Sequence, residues 1–227
     1  MFVLASMPIQ SGTLVVRDRD GFREMVASNG KSELVWTRAA LRDPSKSGWP
    51  YVELFHLAPA LARQRGRALF VGSGGAVSLQ QFSTVYPGMS LEVVEHEPAV
   101  IELARSWFGL ATIPSLTVHF GDGAQFIASA KPSCWDVIVI DAYDAATFAA
   151  EFSQHSFLAS LKRALRPGGA VACNVIGTLN GRGAVSSFVS AIQAIFDVVR
   201  VVPVVGPRES FVRDARRNVV VVATRDD

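Results

Sequence analysis

The stretch Arg67–Phe82, RALFVGSGGAVSLQQF, decides the fold. A short apolar run ends in Gly72-Ser73-Gly74-Gly75, and residues able to form a helix follow. Strand, tight turn and helix in that order open a doubly wound α/β domain. Glycines let the backbone approach a ligand, and the helix start offers free N–H groups beside it. The dinucleotide fingerprint GxGxxG needs a small residue at position 77, where Val77 stands instead. The turn is therefore either a nucleoside-binding loop without a pyrophosphate signature or a plain strand-to-helix connection.

Outward from this turn, short apolar runs alternate with helical patterns. The strand candidates are LEVVEHE (91–97), LTVHFGD (116–122), WDVIVIDAY (135–143), AVACNVIG (170–177), VVRVVPVV (198–205) and NVVVVATR (218–225). Several are nearly unbroken Val/Ile, as expected of strands buried on both faces. Between them, apolar residues at helical spacing mark buried stripes, such as Val100, Leu103, Ala104, Trp107 and Phe108 after Pro98. Pro167-Gly168-Gly169 ends the stripe running from Phe157 to Leu165. The last two strands, with Gly206-Pro207 between them, predict an antiparallel hairpin at a sheet edge. The expectation is a Rossmann-like α/β fold with a seven-stranded, mostly parallel sheet and helices on both faces, spanning residues 50–227. Residues 1–49 read as a small β-rich segment, with a hairpin around Asp20-Gly21 and a strand near Glu33–Thr37. Pro50 to Arg65 reads as an amphipathic helix.

Composition narrows the function. Twenty-two Lys and Arg against 20 Asp and Glu leave a formal charge of +2, and 49% of residues are hydrophobic. Such a chain has no basic stripe for nucleic acid and no apolar run long enough to span a membrane. Two cysteines without CxxC spacing read as core residues of a reducing, cytoplasmic protein.

Ligands of open α/β sheets sit beyond the carboxyl ends of the strands, where this sequence places acids. Glu95-His96-Glu97 ends the second strand about 20 residues after the glycine turn, the position of an acid that binds a ribose. Glu95 is the candidate, and Glu97 fits a cap for the helix at Pro98. A metal is not expected, because adjacent strand residues do not converge on one ion. Asp122, followed by Gly123, reads as either an acceptor for an adenine amine or a helix cap. Asp141 ends an otherwise Val/Ile strand, a costly place for a carboxylate unless something binds there. With Tyr143 and Asp144 it could orient an amine and take its proton. Together these describe an adenosine site without phosphate chemistry, the footprint of S-adenosylmethionine.

These blocks resemble the spermidine synthase-like family, which shares the class I methyltransferase fold. The resemblance runs from about Gly12 to Val202 and rests on LEVVEHEPAVIELARSWF, GDGAQFI, WDVIVIDAYDA and LKRALRPGG. It implies that Gly72, Ser73, Gly74, Gly75, Glu95, His96, Asp122, Gly123 and Asp141 hold the cofactor. It also implies Asp141, Tyr143 and Asp144 as catalytic residues, and Tyr51, Asp144 and Lys31 facing a small-molecule acceptor. Family members commonly pair through the β-rich N-terminus, so a homodimer is expected. The sequence departs from the pattern at Gly75, where aminopropyltransferases carry an aspartate for the amine of decarboxylated S-adenosylmethionine. It departs again at Ala145, in place of a proline, and at Lys31, in place of a glutamine. The departures favour intact S-adenosylmethionine and methyl transfer. Aminopropyl transfer, an intramolecular displacement on the cofactor and a non-catalytic family member are the competing readings.

Overall fold

The computed structural model describes residues 2–144, 147–148, 150–206 and 209–226, without the side chains of residues 144, 147 and 148. Ala145, Pro207 and Arg208 lie outside the described residues, as does the side chain of Asp144. The N-terminal sheet is an antiparallel meander of β1 (Phe2–Ile9), β2 (Gly12–Arg19), β3 (Phe22–Ser28), β4 (Glu33–Ala40) and β5 (Asp43–Ser47), paired in that order. Asp20 and Gly21 both take positive φ, 52° and 81°, as a two-residue hairpin turn requires. The outer strands β1 and β5 carry no strong strand pattern. Pro8 and the polar run DPSKS are tolerated there because edge strands leave backbone groups unpaired.

The helix expected from Pro50 to Arg65 is instead two short ones, α1 (Tyr51–Leu54) and α2 (Leu57–Leu61). Pro59 has no N–H to give to the Phe55 carbonyl, and its ring crowds that oxygen.

The second sheet contains β6 (Arg67–Val71), β7 (Ser90–Glu95), β8 (Thr117–Phe120), β9 (Trp135–Ile140), β12 (Leu165–Gly177), β13 (Val198–Pro203) and β14 (Arg217–Thr224). Its order is β13-β14-β12-β9-β6-β7-β8, and β14 runs antiparallel to both neighbours. The short pair β10 (Tyr143–Asp144) and β11 (Thr147–Phe148) stands apart from it. Side chains alternate between two cores. Phe70, Val93, Val137 and Val139 face α3 (Val77–Val85), α4 (Pro98–Trp107) and the N-terminal sheet. Leu69, Val94, Ile138 and Ile140 face α6 (His155–Ala164) and α7 (Gly183–Gln193). The helix stripes expected at Val100–Phe108 and Phe157–Leu165 are buried where the period places them, with Trp107 alone only partly so.

From the neighbouring strands β6 and β9 the chain winds outward in opposite directions, so the switch point lies between them. The glycine turn closes over that point. Gly72 has φ +85°, and a Cβ there would meet the Asp141 carbonyl oxygen at 2.5 Å. From the other side, Thr37 of β4 presses on the turn. Its Oγ1 accepts from the Gly75 N–H at 2.6 Å, and its methyl fills the space a side chain at 75 would need.

A Cβ on Gly75 would lie 2.3 Å from Thr37 Cγ2 and 2.8 Å from Phe108 Cδ1. Gly75→Ala is therefore expected to destabilise the protein by about 1–3 kcal/mol. Adding Thr37→Ser removes the nearer methyl, and denaturant unfolding should show part of that loss recovered. Additive losses would mean that Thr37 is not what limits position 75.

Candidate active site

Between the glycine turn, the carboxyl ends of β6, β7, β9 and β12 and the inner edge of β4 lies a cleft of ≈ 650 Å³. Gly72, Ser73, Gly74, Gly75, Glu95, His96, Asp122, Gly123, Asp141, Tyr143 and Tyr51 all line it. Strand order pointed to the glycine turn, Glu95, Asp122 and Asp141, and the family resemblance to Tyr51 and His96. Lys31 is not among them. It sits exposed on the β3–β4 turn, where its N–H bonds Asn29 Oδ1, so its expected place facing an acceptor is corrected.

At one end, Glu95 ends β7, nearly fully buried. Its Oε2 accepts from both the N–H and the hydroxyl of Ser73 at 3.0 Å, and its Oε1 from the Glu97 N–H at 3.1 Å. His96 Nδ1 lies 3.3 Å from the same Oε1. Burial alone would raise the Glu95 pKa. The bonds from His96, Ser73 and Glu97 outweigh it and hold the group below its usual range. His96 is pushed up by its bond to Glu95. The carboxylate thus has all four lone-pair positions occupied, and a ribose diol would reach it by displacing the exposed His96 or the Ser73 hydroxyl. Glu97 caps α4 by accepting from the Ala99 N–H at 3.3 Å. Asp122 caps α5 (Gly123–Ser129) through Oδ1, 2.7 Å from the Gln125 N–H, and among the described residues no hydrogen bond reaches its Oδ2.

At the centre stands Asp141, just past β9. Its Oδ2 accepts from the Tyr51 hydroxyl at 3.1 Å and its Oδ1 from Asn174 Nδ2 at 2.9 Å. Protein encloses the group except toward the cleft. That desolvation lifts its pKa to about 6, against the lowering effect of Asn174 and Tyr51. Tyr51 is pushed well upward by burial and by the Asp141 charge, so it remains a donor. Tyr143 gives its hydroxyl to the Asn174 backbone carbonyl at 2.8 Å, and burial raises it further. It lines the cleft. Trp49, Phe152, Ile176, Asn218 and Arg216 complete the far end.

Several of these residues escaped the sequence reading. Asn174 had a signal, a lone amide inside the run Val171–Ile176, and so did Asn218 at the head of four valines. Thr37, Trp49 and Arg216 had none, because a meander strand and loops bring them in from afar.

The model of the spermine/spermidine synthase domain matches residues 53–208. The chain belongs to this family. Putrescine N-methyltransferase 2 of Nicotiana attenuata is 28% identical over 138 residues, 58% of this chain and 37% of that protein. A probable polyamine aminopropyl transferase of Bifidobacterium longum is 30% identical over 158 residues, 69% of this chain and 34% of that protein. The chain thus spans about a third of the length of these curated relatives. The crystal structure of a probable spermidine synthase from Corynebacterium glutamicum superimposes with a TM-score of 0.80 at 20% identity, covering 98% of this chain and 79% of that one. The spermidine synthase fold, with its N-terminal sheet and class I methyltransferase-type core, is therefore the fold of this family member.

Two outcomes test the site. Ser73→Ala frees one acceptor position on Glu95. Calorimetric titration with S-adenosylhomocysteine should show binding several-fold tighter, about 1 kcal/mol, whereas weaker binding would mean the hydroxyl serves the ligand itself. Asp141→Asn removes an ionisation that folding disfavours. A raised pKa gives full stability only below the ordinary value of 3.8 and loses it as pH rises through about 6. The variant should match wild type in denaturant unfolding near pH 4 and exceed it by on the order of 1–3 kcal/mol at pH 7. A difference that does not grow with pH would contradict the buried-carboxylate assignment.

Proposed function

We propose that this family member is an S-adenosylmethionine-dependent transferase that methylates an amine of a small molecule, with Asp141 as its base. The observation that carries the reading is Asp141 itself. A carboxylate with a raised pKa, oriented by Tyr51 and Asn174, stands between an adenosine-shaped end of the cleft and an aromatic end.

The residues fit an adenosyl cofactor on chemical grounds. Gly72 and Gly74 keep side chains away from the turn, no hydrogen bond from a described residue reaches Oδ2 of Asp122, and Glu95 lines the same end. When bound, S-adenosylmethionine supplies a methyl group already activated by its sulfonium, so the protein's part is chiefly positioning. Asp141 takes one proton from an acceptor ammonium, which leaves the nitrogen lone pair free to attack. Its raised pKa brings it closer to that of the amine, the direction a general base needs. Tyr51 stays protonated and holds one carboxylate oxygen, and Asn174 holds the other. Trp49, Tyr143 and Phe152 line the same cleft and offer aromatic surface to an acceptor.

Gly75 supports methyl rather than aminopropyl transfer. No acid stands at that position, and Thr37 occupies the room one would need. A cofactor that keeps its carboxylate therefore meets no repulsion there. The relatives named putrescine N-methyltransferase and polyamine aminopropyl transferase support an amine acceptor for either reaction.

Incubation with S-adenosylmethionine and a panel of small diamines should release S-adenosylhomocysteine. The acid limb of kcat/KM should fall near pH 6, and D141N should lose turnover by about 10²–10⁴-fold. Methylthioadenosine as the nucleoside product would instead establish loss of the longer chain and overturn methyl transfer.

A further inference from the structure

A chain of side-chain hydrogen bonds runs from β14 across β12 to the cleft. Asn218 Nδ2 donates to Asn174 Oδ1 at 3.0 Å, and Asn174 Nδ2 donates to Asp141 Oδ1 at 2.9 Å. Asn174 is 1% exposed, within the otherwise apolar run Val171–Ile176 of β12. A carboxamide is tolerated there only if its groups are bonded.

Its orientation has a chemical consequence. An ionised carboxylate only accepts, so Asn174 must turn its NH₂ toward Asp141 and its carbonyl away. The flipped amide has the same shape but sets a carbonyl oxygen against the carboxylate. That would remove a bond that stabilises the charge and add a repulsion against it. The carbonyl that points away needs a donor, and among the described hydrogen bonds that donor is Asn218. In the β12–β14 ladder Asn218 is paired with Ile176 and Asn174 with Val220, so the two amides are diagonal neighbours.

We propose that Asn218 is a positioning residue for Asp141: by donating to Asn174 Oδ1 it selects the amide orientation that presents an N–H to the carboxylate. The proposal rests on the reading of Asp141 as the base. Besides Asn174, the described groups that interact with Asp141 are Tyr51 of α1 and Tyr143 of its own segment, and Glu151 lines the same cleft. Cys173 of β12 and Arg216 of the segment before β14 act on Tyr143. Burial moves both tyrosines and Cys173 upward, so they stay neutral where Asp141 titrates. Among the described groups acting on Asp141, a midpoint near pH 6 therefore reports its own carboxyl and the amide facing it.

The test is the titration of the Asp141 side-chain carbon by NMR, assigned by its loss in D141N. Asn218→Leu keeps shape and neutrality but deletes the donor. It should move the midpoint up by about one unit, while Asn218→Gln, which can still donate, should stay within a few tenths. In the wild-type protein the Asn174 side-chain amide proton should be protected from exchange, with a chemical shift that follows the Asp141 midpoint. An unmoved midpoint in a cooperatively folded N218L, or an Asn174 amide signal insensitive to pH around 6, would overturn the proposal. These readouts need no acceptor. Failure to methylate any amine would overturn the proposed function, and only an unmoved midpoint or amide signal would overturn the relay.

Discussion

The structure depends on one tight contact, the seat of Thr37 against the glycine turn. The turn joins β6 to α3 and must pass over the switch point of the large sheet, where Gly72 leaves no room for a side chain beside Asp141. Thr37 closes it from the opposite side, filling the volume that a residue other than glycine would claim at 75. Through this contact the N-terminal sheet becomes one wall of the cleft. Leu14, Val16, Met25 and Ala39 extend the same hydrophobic core behind it. Chain segments far apart in sequence thus share one packing problem, and its solution sets what the cleft can hold.

That geometry bears on electrostatics. At the glycine turn the protein presents backbone and a threonine rather than an acid, and Arg38, Glu95, His96 and Asp141 line the cleft around it. Glu95 is kept ionised in spite of burial by four hydrogen-bonding partners. Asp141 has two side-chain donors, and desolvation outweighs them, which leaves its pKa raised. Environments that separate two carboxylates in this way give one a structural and ligand-holding character and the other the character of a base.

Much of this was legible in the sequence, because it depended on periodicity and strand ends. Val/Ile runs announced buried strands, helical spacing announced the stripes on α4 and α6, and acids at strand ends announced Glu95, Asp122 and Asp141. What could not be read came from tertiary juxtaposition. Pro59 split a helix whose apolar pattern was otherwise continuous. Strands β1 and β5 lacked strong patterns because edges do not need them. Lys31 looked well placed by alignment with a family block, yet a turn carries it into solvent. The partnership of Thr37 with Gly75 spans two sheets and had no local signature. The missing aspartate at 75 was visible as a letter, but the reason one cannot fit was not.

We propose that this closed, acid-free turn belongs to a cleft for intact S-adenosylmethionine. It is tested most directly by calorimetric titration of the purified protein with that compound and with its decarboxylated form under identical conditions. Tighter binding of S-adenosylmethionine is the result this account predicts; tighter binding of the decarboxylated form would contradict it.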